Sequence, residues 1–281
     1  MNFSAIGFFL LKILFFALRL FPYRRISDAG ALVGILFEKI GIRKKTAMQN
    51  FLQSDLHQGS FRAKEIISES YHNFGRTFFE LLALDRIRLA EGKDFELVLP
   101  EKFYDNIAKG AVFVSAHIGN WELMGKILIG KKIPLAVVVK RQYNDRVDRL
   151  ICRQREKAGM AVVYDDELFK LRRLIEDRYC IALLADQDFG DNTIPVQFLG
   201  RECYAQEGPV YFARRFNLPV FFCYALRRNK YFHHFEIKGL KMDVSKNDAS
   251  LVQYYTDEIE KVVRADPSQW LWHHRRWKVR A

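Results

Sequence analysis

The segment Ser115-Ala116-His117-Ile118-Gly119-Asn120-Trp121-Glu122 sets a histidine and a carboxylate five residues apart, residue types that together make a general base. A carboxylate on one ring nitrogen fixes the tautomer and stabilises the imidazolium, leaving the other nitrogen to take a proton from a substrate hydroxyl. On a continuous helix five residues turn through about 140°, so the two side chains cannot meet as helix neighbours. If His117 instead ends a strand and Gly119 or Asn120 caps the next helix, Glu122 lies in the first turn and can reach back to the ring. The plainer alternative is that Glu122 only favours the helix N-terminus and His117 is an ordinary buried polar residue. No Ser or Cys nucleophile is arranged around them, which points to direct attack by the substrate hydroxyl without a covalent enzyme intermediate. A second polar cluster, Asp186-Gln187-Asp188, would organise a site through hydrogen bonds or stabilise a turn. It lacks further ligands for a metal, and neither metal nor cofactor is expected.

Both clusters follow short apolar runs: AVFVSA precedes His117 and CIALLA precedes Asp186. From residue 111 such runs alternate with amphipathic stretches, with helices near 120–130, 145–158, 166–177, 206–216 and 247–264. This alternation predicts an α/β domain whose largely parallel central sheet is flanked by helices. Sites in such sheets lie at the carboxyl ends of the strands, where both clusters fall. Runs at 219–240, joined by Asn229 and Lys230, predict an antiparallel hairpin added to the sheet. Residues 27–90 show helical periodicity, including a helix from Ser60 to about Leu84, and form a helical lead-in extending to about residue 105.

Residues 3–22 are almost wholly apolar, and about twenty such residues can span a bilayer core. Lys12 costs roughly 3 kcal/mol on the insertion scale, while thirteen Leu, Ile and Phe residues return roughly 0.3–0.6 kcal/mol each. Lys12 and Arg19 share a helical face, so a helix lying in the interface with snorkelling cations is the competing arrangement. There is neither a basic region before the run nor a cleavage pattern after it, so the segment is expected to stay attached as a membrane anchor. The expected organisation is an anchor over residues 1–25 and a catalytic domain over 26–281, on the cytoplasmic side because Arg19, Arg24 and Arg25 follow the run.

The 281 residues carry a formal charge of +12, which favours acidic partners without choosing among lipid, nucleic acid and protein. The 24 Phe suit a protein that handles lipid, although core filling uses them equally well. No nucleic-acid-binding motif is present, and such binding does not explain the apolar N-terminus. Four Cys without CxxC spacing suggest reduced, buried thiols. Near the C-terminus Trp270, Trp272 and Trp277 alternate with basic residues, which fits either a membrane interface or indoles packed inward.

HIGNWEL resembles the His, four residues, acidic residue signature of the glycerolipid acyltransferase superfamily, in the form found in bacterial lipid A late acyltransferases. The order of later blocks carries the same resemblance: VVVKRQYNDRVDRLI, ADQDFG, IPVQFLGR with EGP, and PSQWLWHHRRWK. AMQNFL and YHNFGRTFFEL extend it upstream, so it covers most of the chain. Gln142 stands where the family often has proline, and Cys203-Tyr204-Ala205-Gln206 replaces a small-residue and threonine stretch.

The resemblance implies His117 as general base with Glu122 as its partner, and a substrate site using Arg141, Asn144, Asp186, Gln187 and Gly200. Arg141 and Asn144 match the block taken to hold a phosphate, for which a bidentate arginine is well suited. Without the resemblance they would read as a solvated helix start. The implied reaction moves an acyl chain from a thioester, on acyl carrier protein or alternatively acyl-CoA, to a hydroxyl of a phosphorylated glycolipid, foremost a lipid A precursor. Another glycolipid or a lysophospholipid is the variant acceptor. The implied setting is a bacterial inner membrane, with the catalytic domain on its cytoplasmic face and no nucleic acid involved.

Overall fold

The computed structural model describes residues 13, 16–58, 62–188, 192–243 and 245–277. Of the predicted anchor, residues 1–25, residues 1–12, 14 and 15 lie outside them. Among the described residues no helix is long and apolar enough to cross a membrane. At the end of that segment Arg19 is not a snorkelling cation: its guanidinium bonds both oxygens of Asp85, at 2.7 and 2.6 Å.

The lead-in supplies α1 (Tyr23–Ile40), α2 (Lys44–Gln53) and α3 (Ala63–Leu82). α1 and α3 approach closely through glycine. A Cβ on Gly30 would stand 2.4 Å from the Gly75 carbonyl oxygen, and one on Gly34 2.2 Å from that of Tyr71. The stretch expected to remain helical to about residue 105 also contains a strand, β1 (Phe95–Val98), followed by the short α4 (Phe103–Asn106). The segment Phe95-Glu96-Leu97-Val98 follows Lys93-Asp94 and lacks the continuous apolar run that precedes His117, so its pairing with residues 233–236 is what reveals β1.

The remainder alternates as predicted: β2 (Val112–Ser115), α5 (Trp121–Gly130), β3 (Leu135–Val139), α6 (Asp145–Lys157), β4 (Ala161–Tyr164), α7 (Leu168–Glu176) and β5 (Cys180–Leu184). Then come β6 (Thr193–Phe198), β7 (Arg201–Gln206), α8 (Gly208–Phe216), β8 (Val220–Arg227), β9 (His233–Leu240) and α9 (Asp248–Ala265). The main sheet has seven strands in the order β1-β9-β8-β2-β5-β3-β4. All its pairings are parallel except β8 with β9, the predicted hairpin. β6 and β7 form a separate antiparallel ribbon, so the IPVQFLG strand lies outside the parallel sheet.

The central strands are apolar throughout because both faces are covered. Val112 and Val114 of β2 join a core shared with α8 and α9, while Phe113 faces another core with Leu123 and Ile127 of α5. Trp270 and Trp272 are buried, which answers the open question about the terminal indoles: these two pack inward. The lead-in is tied into the domain by a buried ion pair. Glu80 of α3 receives both terminal nitrogens of Arg227 on β8, at 3.1 and 2.8 Å, and also the Asn120 amide ahead of α5.

Candidate active site

β2 and β5 are parallel neighbours with Ser115 opposite Leu184. Two residues beyond each strand stand His117 and Asp186, so the register alone delivers them to the same place. The His117 ring nitrogen Nδ1 lies 2.8 Å from Asp186 Oδ1. The other carboxylate oxygen accepts the His117 backbone N–H at 3.0 Å and the Trp270 indole N–H at 2.8 Å. Asp186 is 2% exposed. Burial pushes its carboxyl upward, but the His117 charge and these hydrogen bonds outweigh that and hold it below the usual carboxylate range. A deprotonated Asp186 makes Nδ1 the donor and leaves Nε2 as the acceptor.

The turn that presents His117 is tightly determined. Gly119 has a positive φ of 58°, and a Cβ there would sit 1.7 Å from the Ala225 carbonyl oxygen, so only glycine fits. The Asn120 side chain caps α5 by accepting the Leu123 N–H at 2.9 Å. Thr77 donates to the Gly119 carbonyl at 3.0 Å, and the Leu271 N–H donates to the His117 carbonyl, also at 3.0 Å.

The predicted cap and first-turn position of Glu122 are therefore present, but its carboxylate does not supply the partner of the imidazole Nδ1. It accepts from Arg155 Nε at 3.0 Å, from an Arg155 terminal nitrogen at 2.6 Å, and from the Trp121 indole N–H at 3.0 Å. Burial weakens the Arg155 charge, and Glu122 more than restores it. Trp121 in turn sets its ring edge-to-face against His117, with centroids 5.0 Å apart. Trp121 thus touches both the Glu122 carboxylate and the His117 ring.

A cleft of about 630 Å³ opens over His117, and Trp121, Glu122, Arg141, Arg155 and Gln187 also line it. A smaller apolar pocket of about 70 Å³ shares Trp121, Val139, Arg155 and Leu184 with the cleft and continues under α5 past Met124, Gly125 and Met160. At the rim the Arg141 guanidinium lies 3.9 Å above the Tyr164 ring and 3.6 Å from Asp166. Both members of that ion pair are more than half exposed, so an anionic ligand could recruit Arg141 at small cost.

The other predicted residues are placed differently. Asn144 caps α6, accepting from the Arg146 and Val147 N–H groups at 3.0 and 3.2 Å, which is the solvated helix start. Gly200 has a φ of 76° in the β6–β7 turn beside Asp55, and it does not line the cleft. Sequence reasoning misses Arg155 and the bond from Trp270 to Asp186. Nothing distinguishes Arg155 from its neighbours Arg149 and Arg153, whereas Trp270 belongs to the aromatic segment read as either a membrane interface or indoles packed inward.

A family model described as bacterial lipid A biosynthesis acyltransferase matches residues 3–279. The phosphatidylinositol mannoside acyltransferase of Mycolicibacterium smegmatis is 26% identical over 147 residues, covering 50% of this chain and 48% of that protein. The lipid A biosynthesis palmitoleoyltransferase of Escherichia coli K12 is 21% identical over 284 residues, covering 92% of this chain and 87% of that protein. A lipid A biosynthesis acyltransferase of Shigella flexneri matches with the same identity and coverage. The chain thus spans about half the length of the first relative and most of the other two.

Proposed function

This chain belongs to the bacterial lipid A biosynthesis acyltransferase family, and from that premise we propose that it transfers a fatty acyl chain from a thioester to a hydroxyl of a phosphorylated glycolipid, foremost a lipid A precursor. The observation that carries the mechanism is the His117–Asp186 pair, in which His117 lines the cleft and Asp186 is buried against its ring. Asp186 holds the proton on Nδ1, so Nε2 takes the proton of the acceptor hydroxyl as its oxygen attacks the thioester carbonyl. The tetrahedral intermediate then collapses, the C–S bond breaks, and the imidazolium returns its proton to the departing thiolate. Ester and thiol are the products, with no covalent enzyme intermediate.

Around this pair the roles follow from position. Glu122 is a positioning residue that fixes Trp121 against the imidazole and keeps Arg155 charged at the cleft wall. Arg141 at the rim suits a phosphate of the acceptor, with Gln187 as a neutral hydrogen-bonding group on the same cleft. The cleft's largely apolar lining, extended by the small pocket past Met124 and Met160, suits the acyl chain. The net charge of +12 favours an acidic acyl carrier protein as donor, with acyl-CoA as the variant. Arg24 and Arg25, following the N-terminal apolar segment, favour the cytoplasmic face of the inner membrane. Mass spectrometry of lipids from cells with and without the gene tests this reading. A gain of one acyl chain on a lipid A precursor supports it, and an unchanged lipid A profile opposes it. The same mass gain on another glycolipid would keep the reaction and replace the acceptor.

A further inference from the structure

We propose that the outer face of α1 docks flat on an anionic phospholipid surface. α1 buries glycine and exposes leucine, the reverse of a helix built to cover a soluble core. Gly30 and Gly34 face α3 at contact distances that admit no Cβ. Leu32, Leu36 and Ile40, 67%, 52% and 65% exposed, point away from that contact. At 100° per residue these three span about 80° of the helix surface, on the side roughly opposite the glycines. Close glycine packing does not depend on burying large apolar side chains, so α1 can stay attached to α3 while its leucines face hydrocarbon.

Charge selects the occupant. Arg25 and Lys39 project within about 20° of the stripe, and Lys45 follows the helix, all three exposed. The acidic residues of α1 are engaged elsewhere: Asp28 with Arg76 and Tyr231, Glu38 with Ser68 and Lys44. An apolar centre with basic ends is the pattern of a helix lying in the headgroup region of an anionic leaflet. A second copy laid on the stripe in parallel or antiparallel would face basic ends with basic ends. Phe37 of α1, with Ile42 and Arg43 just beyond it, also lines the cleft, so docking brings the cleft mouth to the lipid surface. The docking face stands on α1 alone. Its purpose, presenting the cleft to a lipid acceptor, rests on the function proposed above.

The four native cysteines are buried, so a polarity-sensitive fluorophore can be directed to L36C or I40C in the full chain, with D257C on α9 as control. With phosphatidylglycerol-containing vesicles, emission at positions 36 and 40 should shift to the blue and be quenched by nitroxide lipids, while position 257 stays aqueous. The shift should weaken with salt and with pure phosphatidylcholine. The proposal is overturned if position 36 stays aqueous on vesicle-bound protein. It is equally overturned if the label is shielded before lipid is added, by a second copy if this depends on concentration and by the chain itself if it does not. The triple variant L32S/L36S/I40S should keep full acyl transfer to a detergent-dispersed acceptor, so a failure of docking is distinguishable from a failure of the acyltransferase reading.

Discussion

Replacing Asp186 by Asn tests the histidine's tautomer with almost no change of shape. The carboxylate now accepts three N–H groups: His117 Nδ1 on one oxygen, and the His117 backbone and Trp270 indole on the other. An Asn has one oxygen. Placing it where it satisfies two donors puts the amide NH2 against Nδ1 and turns that nitrogen into an acceptor. The imidazole proton then moves to Nε2, and the base is lost. The expected fall in kcat is about 10³- to 10⁴-fold, roughly 4–5.5 kcal/mol of transition-state stabilisation, with little change in KM. Because all three hydrogen bonds survive, one of them reversed and all without the carboxylate charge, the stability cost should stay near about 1–3 kcal/mol. Acyl transfer followed by mass spectrometry, alongside a denaturation curve, measures both. A folded D186N enzyme within tenfold of the wild-type rate would refute the argument that Asp186 sets the proton.

Other consequences are as direct. E122Q removes the charge that compensates buried Arg155, so denaturation should show a loss of about 3 kcal/mol. Its rate should fall less than that of D186N, and the acidic limb of its pH–rate profile, where the base is lost to protonation, should not move; a loss equal to that of D186N would make Glu122 the direct partner. G119A sets a methyl group against the Ala225 carbonyl at a positive φ, so a loss above about 3 kcal/mol or failure to fold is expected. Wild-type stability of that variant would contradict the turn. Burial, with Arg227 beside one ring and Arg43 beside the other, holds His233 down to about 3 and His273 to about 4. Both folded values lie below the unfolded 6.5, so the unfolded chain binds more protons in that interval and stability falls as pH drops. Near pH 5 the slope should be about 1.2–1.4 kcal/mol per unit for each histidine, and H233Q should remove one share of it. An unchanged slope in H233Q denaturation curves would show that His233 is not held neutral.

Much of the frame was legible in the sequence because local signals carried it. The apolar runs before His117 and Asp186, the hairpin through Asn229, and the cap at Asn120 each depend on a few neighbouring residues, and each is where the pattern puts it. What the sequence withheld depends on strand order. Asp186 meets His117 because β5 lies beside β2, although β3 and β4 separate them in the chain. Lacking that order, the sequence pairs His117 with the carboxylate nearest in the chain, Glu122, whereas the carboxylate in contact with its ring is Asp186. Glu122 is bonded by Arg155, which comes from α6 across the cleft, and no spacing rule connects them. β1 was hidden because Glu96 breaks its apolar run, and the bond of Trp270 to Asp186 by the distance between the C-terminal segment and the turn it braces.

The most direct test compares wild-type and His117→Ala enzyme in a reconstituted reaction with acyl carrier protein thioester and a lipid A precursor, read as acceptor mass. The wild type should add one acyl chain, and the folded variant should fall by about 10³-fold or more. Transfer by the variant at the wild-type rate would contradict His117 as the base.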